Sequence, residues 1–305
     1  MSRIAGMVPP PRREPSRRDA AREALLVWFR ANGPDYPWRR REDDPYAVLI
    51  SEVMLQQTQA ARVAEAFPVF MDRFPDVPTL AAASRANVLR AWAGLGYNRR
   101  AVALHEAARA IVREHDGRVP ADLASLLALP GVGPYTAAAV ASIAFGEPVP
   151  AIDTNARKVV ARLALGAEPG EVRASAIADS ATRWLTRDRP GEWNQAVMNL
   201  GREVCRPVPR CELCPLAAAC RFRAGGRAVM GRRGGGRRQP AFEGSMRQVR
   251  GGVVRELRAR ASAITLVTLS GALGEPPSRV EEAVGALERE GLVERTPAGR
   301  VRLPR

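Results

Sequence analysis

Two carboxylates in unlike surroundings and one tight set of thiols are the residues of this chain that could do chemistry. Glu52 interrupts an apolar run from Ala47 to Leu55. Set among Val48, Ile50, Val53 and Met54, its carboxyl group loses hydration, which favours the protonated form and suits a general acid. The plain alternative is a glutamate on the solvent face of its helix. Asp153 stands just before a helix read from Thr154 to Leu165, where it can serve as an N-cap. The positive end of a helix also favours its negative charge. A protonated acid paired with a lasting anion is the arrangement that splits acid and electrostatic roles between two carboxyl groups. Cys205, Cys211, Cys214 and Cys220, all the cysteines of the chain, fall within sixteen residues. Such clustering argues for metal ligation over disulfides, and four thiolates suit either zinc or an iron–sulfur cluster.

The elements that must position these groups centre on Ser125 to Asn155. A short helix ends at Leu129, Pro130-Gly131-Val132-Gly133 makes a tight hairpin, and Pro134 opens an alanine-rich helix. Glycine permits positive φ and close backbone approach, and proline at the first helical position loses no hydrogen bond. Exposed N–H groups at that helix start would form a phosphate site, most simply from Gly131 and Gly133. An ordinary αα-hairpin is the bland reading. Upstream, Asp19 to Asn32 reads as an amphipathic helix and Tyr46 to Phe67 as one continuous helix carrying Glu52. Helices at about Val77–Ser84, Ala86–Ala93 and Arg99–His115 have apolar stripes that read as core, and helices at Arg173–Thr186 and Glu192–Val204 would complete a second lobe. His105 and His115 suggest no metal pair and read as structural or exposed.

The hairpin followed by an aspartate resembles the helix-hairpin-helix DNA glycosylase superfamily that includes endonuclease III. The segment Ser51-Glu52-Val53-Met54-Leu55-Gln56-Gln57-Thr58 is more specific. Taken with Pro37-Trp38-Arg39, Asp44-Pro45-Tyr46 and Leu95-Gly96-Tyr97, it resembles A/G-specific adenine DNA glycosylases of the MutY type over roughly Leu25 to Phe222. The resemblance implies an all-α, two-lobed helix-hairpin-helix glycosylase fold with an iron–sulfur loop. It implies excision of adenine mispaired with 8-oxoguanine or guanine in double-stranded DNA, by a monomer that needs no membrane. Glu52 would then be the acid and Asp153 the anion, with Tyr135 and Asn155 supporting the sugar-stabilising site. Gln57 and Tyr97 would wedge into the base stack, Thr58 would lie near the opposing base, and Arg39 and Gln195 would contact adenine. The four cysteines would hold a 4Fe-4S cluster, although the first gap is five residues where the family usually has six. Tyr135 stands where endonuclease III has a Schiff-base lysine, which implies a monofunctional enzyme. Two other readings remain: a mismatch thymine or uracil glycosylase of the same fold, and a non-enzymatic iron–sulfur DNA-binding regulator.

Over 305 residues the chain carries a formal net charge of +15, almost all its positive charge from arginine, with Lys158 the only lysine. A strongly basic chain points to a polyanionic partner. No apolar run approaches the roughly 20 residues of a membrane span, and the N-terminus lacks the apolar core of a secretory signal. A cytoplasmic, nucleoid-associated location is expected. Composition divides the chain into a basic, disordered tail (1–18), a core (19–222), a Gly/Arg linker (223–244) and a C-terminal domain (245–305). Within the core a helical-barrel lobe would span about 38–148 and an iron–sulfur lobe 19–37 plus 149–222. The C-terminal segment reads as helices at Gln248–Arg260, after Thr265 and at Pro277–Glu290, then a hairpin. This resembles a winged helix, with a protein-docking domain as the alternative. About sixty residues are too few for the Nudix-like domain that ends most such glycosylases, so recognition of 8-oxoguanine by such a domain is not implied.

Overall fold

The computed structural model describes residues 16–226 and 241–305. Most of the basic tail and of the linker lie outside these described residues. Ser16 caps α1 (Arg17–Asn32) by accepting from the Asp19 N–H. A 3-10 turn, Pro37–Arg41, precedes α2 (Pro45–Leu55). Asp44 caps α2 by accepting from the N–H groups of Tyr46 and Ala47, and Pro45 occupies a position where no N–H is needed. Next come α3 (Ala60–Arg73), α4 (Val77–Ala82), α5 (Arg85–Ala91) and α6 (Arg99–Glu114). The helix pair α7 (Leu123–Ala128) and α8 (Pro134–Ala144) flanks the glycine hairpin. Then α9 (Thr154–Val160) runs into one π-helical turn, Ala161–Leu165, closed by Gly166 at φ 67°. The rest are α10 (Ala174–Trp184), α11 (Pro190–Glu203), α12 (Arg221–Ala224), α13 (Met246–Arg258), α14 (Leu266–Leu273) and α15 (Pro277–Arg289). Among the described residues the only strands are β1 (Glu294–Arg295) and β2 (Val301–Arg302), an antiparallel pair. No described helix is long and apolar enough to cross a membrane.

One difference from the sequence reading matters for the site. Tyr46 to Phe67 is two helices, because α2 stops at Leu55 and α3 starts at Ala60. Gln57 between them adopts φ 57°, a left-handed conformation that a non-glycine residue holds only when its surroundings impose it. Apolar periodicity runs through the break and cannot reveal it. His105, read as structural or exposed, is buried.

The chain forms two compact units, residues 1–33 with 152–231 and residues 34–151 with 232–305. In the first, α1, α9 and α11 close over Leu25, Leu26, Val159, Val160, Val197 and Leu200. In the second, α2 is the central element, and every residue from Tyr46 to Met54 is buried. The C-terminal segment shares the core of this second unit. Ala86 N–H donates to the Pro304 carbonyl at 2.9 Å, and Arg90 donates to the carbonyl of Arg260 at 3.3 Å. Composition separates this segment along the chain, whereas packing joins it to residues 34–151.

In the hairpin, Gly131 has φ 75°, and a Cβ built there would lie 2.7 Å from the Ala103 Cβ on α6. Gly131→Ala therefore combines overpacking with a left-handed penalty and should cost about 2–4 kcal/mol. Urea unfolding should show the midpoint falling at unchanged slope. A change within about 0.5 kcal/mol would mean that the hairpin relaxes away from α6.

Candidate active site and cysteine centre

Glu52 sits on α2 with only 6% of its surface exposed. A fully buried helix faces a particular difficulty at its C-terminus, where the last carbonyls have no intrahelical donor. Arg100 resolves it. Its Nη1 donates to the carbonyls of Val53 and Met54, both at 2.8 Å. Its Nη2 donates to Thr58 Oγ1 at 2.9 Å and to the carbonyls of Leu95 and Gly96 at 3.1 Å. The guanidinium also lies over the rings of Trp92 and Tyr97, 5.3 and 5.6 Å from their centroids. Burial pushes its pKa down to about 10, a desolvation cost set against this array of acceptors.

Arg100 thereby ties together two turns that each carry a left-handed residue, Gln57 at φ 57° and Tyr97 at φ 44°. Thr58 closes the same link by donating to the Leu95 carbonyl at 3.2 Å. Tyr97 itself projects outward, 53% exposed. Just past the end of α2, Gln56 Nε2 donates to Thr136 Oγ1 at 3.1 Å, joining this end of the helix to α8. Tyr135 is in the first turn of α8, packed against Ala138, Ala139 and Ala151. A cavity of about 430 Å³ opens between Gln56, Arg99, Arg100, Ala103, Pro130 and Gly131. Arg39 donates to the Pro34 carbonyl at 2.9 Å and lies over the Tyr36 ring, which stacks on Trp38. Gly133 is the N-cap residue of α8.

Asp153 belongs to the other unit. Its Oδ1 accepts from the Ala156 N–H at 2.6 Å, so it is the N-cap of α9, and its Oδ2 accepts from Asn155 Nδ2 at 3.0 Å. Asn155 is in turn seated against α11. A Cβ built on Gly201 would lie 2.7 Å from the Asn155 Cβ and 2.8 Å from its carbonyl oxygen. Lys158, one turn on from Asn155, donates to the Gly201 carbonyl at 2.9 Å. Gln195 is buried on α11 beside Asn194. Glu52, Gln57, Thr58, Tyr97, Tyr135 and the hairpin glycines thus belong to one unit. Asp153, Asn155, Gln195 and the cysteines belong to the other, which holds α1, α9 and α11.

All four cysteines line a single small cavity, together with Arg162 and Phe222. Arg162 comes from the π-helical turn and is almost fully buried. It donates to Cys205 Sγ at 3.6 Å, to the carbonyls of Arg206 and Pro207 at 2.6 and 3.1 Å, and to Glu168 at 2.7 Å. Burial raises the pKa of Cys205, and burial with the neighbouring thiols pushes that of Cys214 up to about 12. Convergent soft thiols whose ionisation is opposed by burial are a donor set that a cationic metal centre would complete. A buried guanidinium suits the net negative charge that four thiolates would leave. No three His, Cys, Asp or Glu side chains among the described residues are already close enough to grip one metal ion; the residues fit a four-thiolate site in chemistry and convergence.

Arg100, Arg162 and Gly201 escape a reading of the sequence. Each acts on residues about 40 or more positions away, and local pattern carries no such information. The one signal within reach is that Arg100 lies just after Leu95-Gly96-Tyr97, a turn singled out on its own account.

Residues 50–180 match the family described as "HhH-GPD superfamily base excision DNA repair protein". The adenine DNA glycosylase of Mycobacterium tuberculosis is 42% identical over 289 residues, covering 92% of each chain. The adenine DNA glycosylase of Homo sapiens is 43% identical over 215 residues, covering 67% of this chain and 39% of the human protein. The structure of a thermostable thymine-DNA glycosylase matches with a TM-score of 0.63 and 28% identity, over 68% of this chain and 97% of that one. An endonuclease III–DNA complex matches in fold with a TM-score of 0.56 at 22% identity, over 67% and 94%.

The Arg100 link predicts a measurable stability cost. Arg100→Lys keeps the charge but cannot reach five acceptors on two turns, and orphaned buried carbonyls are expensive. Denaturant titration should show a loss of about 2–4 kcal/mol. A loss under about 0.5 kcal/mol would mean that water replaces the guanidinium.

Proposed function

The chain belongs to the adenine DNA glycosylase family, within the helix-hairpin-helix superfamily of base excision repair proteins, and on that premise we propose that it hydrolyses the N-glycosidic bond of adenine mispaired with 8-oxoguanine or guanine. The observation that carries this reading is the match to an adenine DNA glycosylase across 92% of both chains, with a buried carboxyl at Glu52. A paired base is inaccessible inside the duplex, so adenine is first flipped out of the stack. Tyr97, exposed on a left-handed turn, and Gln57 on the facing turn fill the space that the base leaves. Thr58 lies toward the opposing base. Backbone N–H groups at Gly131 and Gly133 take a phosphate of the DNA backbone, and Arg39 and Gln195 contact adenine.

Bond cleavage develops negative charge on the departing base and positive charge on the sugar. Glu52, kept from water, donates a proton to the base as it leaves. The Asp153 carboxylate, at the start of α9, stabilises the oxocarbenium-like sugar until a water adds to its anomeric carbon and passes its proton to the Glu52 carboxylate. The Asn155 amide holds the Asp153 carboxylate in orientation, and Tyr135 has a supporting part in sugar stabilisation. Tyrosine has no amine to form a Schiff base, so strand cleavage does not accompany excision. Cys205, Cys211, Cys214 and Cys220 would hold a 4Fe-4S cluster, which would supply structural cross-linking and positive charge, with Arg162 offsetting the thiolates. The enzyme acts as a monomer in the nucleoid, and α13–α15 with the β1–β2 pair form a winged-helix-like unit.

Excision of thymine or uracil is the second reading, favoured by the structural match to a thymine-DNA glycosylase. Its lower identity, 28% against 42%, sets it behind adenine.

Glu52→Gln keeps shape and removes the acidic proton. Single-turnover excision from duplexes pairing adenine with guanine or 8-oxoguanine should fall by at least ~10²–10⁴-fold, with mismatch binding within a few-fold of the parent. Near-parental excision would sink the acid assignment, and excision by the parent of thymine or uracil mispaired with guanine, but not of adenine, would promote the second reading. For the cysteines, anaerobically purified protein should be yellow-brown and contain iron at about four per chain. Stoichiometric zinc without iron, from iron-replete cells, would reassign the centre.

A further inference from the structure

The C-terminal segment reaches the Tyr97 turn through a contact between side chains. Asn98 is the N-cap residue of α6, a position where asparagine normally accepts from a backbone N–H of the first turn. Here its side chain makes no cap bond. Its Oδ1 instead accepts from Arg258 Nη2 at 2.7 Å. Arg258 ends α13, and its burial holds the pKa down at about 10. Burying a guanidinium is costly unless the acceptors it meets repay the loss of water. An apolar side chain would fill that position more cheaply, and an arginine serving DNA phosphates would stand in solvent. The acceptor that Arg258 does reach is the residue next to Tyr97.

The contact is part of a continuous seam. Arg90 donates to the Arg260 carbonyl two residues past Arg258, and Ala86 donates to the Pro304 carbonyl near the chain end. The turn that carries Tyr97 is therefore gripped twice. Arg100 holds its Leu95 and Gly96 carbonyls from the side of α2, and Arg258 holds Asn98 from the C-terminal segment.

We propose that the C-terminal segment is a brace for the Tyr97 turn, with Arg258 and Asn98 as positioning residues that keep the left-handed tyrosine projecting before DNA arrives. This rests on the reading of Tyr97 as the residue that enters the base stack. A preorganised wedge spends less of its binding free energy on ordering the turn when a base is flipped. The segment then contributes to excision without itself touching DNA.

The test uses the full chain and four variants: Arg258→Met, Asn98→Ala, their combination, and Asn98→Asp, which retains an acceptor for Arg258. Two readouts are taken, hydrogen exchange of the 95–98 amides without DNA and single-turnover excision of adenine. Arg258→Met and Asn98→Ala should each speed exchange at 95–98 and slow excision about tenfold, with exchange at 154–165 unchanged. The double variant should be no worse than either single, because both remove one interaction, and Asn98→Asp should stay close to the parent. Parental exchange in both single variants, or losses that multiply in the double, would overturn the brace. So would weaker DNA binding with a shallower salt dependence in Arg258→Met but not in Asn98→Ala, which would make Arg258 a phosphate contact. If the parent excises no adenine, the proposed function fails, while the exchange measurement still decides whether the brace exists.

Discussion

A helix with no face toward solvent must have its last carbonyls satisfied from outside, and α2 is such a helix. Everything from Tyr46 to Met54 is buried, so water cannot serve the end of the helix that follows Glu52. Asp44 supplies the acceptor at the start, and the Arg100 guanidinium supplies donors at the finish. Because the guanidinium is a rigid planar fork, meeting Val53 and Met54 fixes where its other nitrogen points. That nitrogen is committed to Thr58, Leu95 and Gly96. The burial that excludes water from Glu52 and the left-handed geometry of the neighbouring turns are thus one constraint, enforced by one side chain.

The other unit solves a comparable problem by close approach. Asp153 uses one oxygen to cap α9 and the other to accept from Asn155. Both oxygens are engaged, so rotation about the Asp153 side chain would break one bond or the other. The arrangement requires α9 and α11 to lie so close that position 201 tolerates no Cβ. Further along the same helix, the π-helical turn changes the register of side chains by inserting a residue. It delivers Arg162 into the cysteine loop. One continuous stretch, Asp153 to Leu165, therefore carries the capping aspartate at its start and the buried cation of the thiol cavity at its end.

Much of this is legible in the amino-acid order alone. Glu52 within an apolar run, Asp153 before a helix and four cysteines in sixteen residues are local patterns, and local patterns survive in a single sequence. The break at 56–59 is not legible there. Gln56-Gln57-Thr58-Gln59 contains no glycine or proline, and the left-handed Gln57 sits in a turn that Arg100 and Thr58 tie to Leu95. The π-helical turn is hidden for a similar reason, since Ala161 to Leu165 has ordinary helical composition. Composition also sets the C-terminal segment apart, beyond a Gly/Arg-rich stretch. It cannot show that Val253, Leu257 and Leu269 join the same core as Leu104 and Ile111.

The choice of arginine over lysine shows how composition can mislead. Read alone, a charge of +15 with one lysine suggests a surface for polyanions and a bias in base composition. The structure gives several of those arginines other work. Arg100 bonds five acceptors, Arg162 bonds two carbonyls, a carboxylate and a thiol, and Arg258 reaches Asn98 from the C-terminal segment. An ammonium has three donors in tetrahedral array and is strongly hydrated, so it could neither bridge two turns in one plane nor be buried as cheaply. The sole lysine, Lys158, makes one backbone contact to Gly201, which asks for a single point charge on a flexible stem. Arginine content therefore supports two functions that sequence cannot separate. Exposed side chains give the chain its attraction to DNA, and buried ones hold the turns and the helix end that position Glu52.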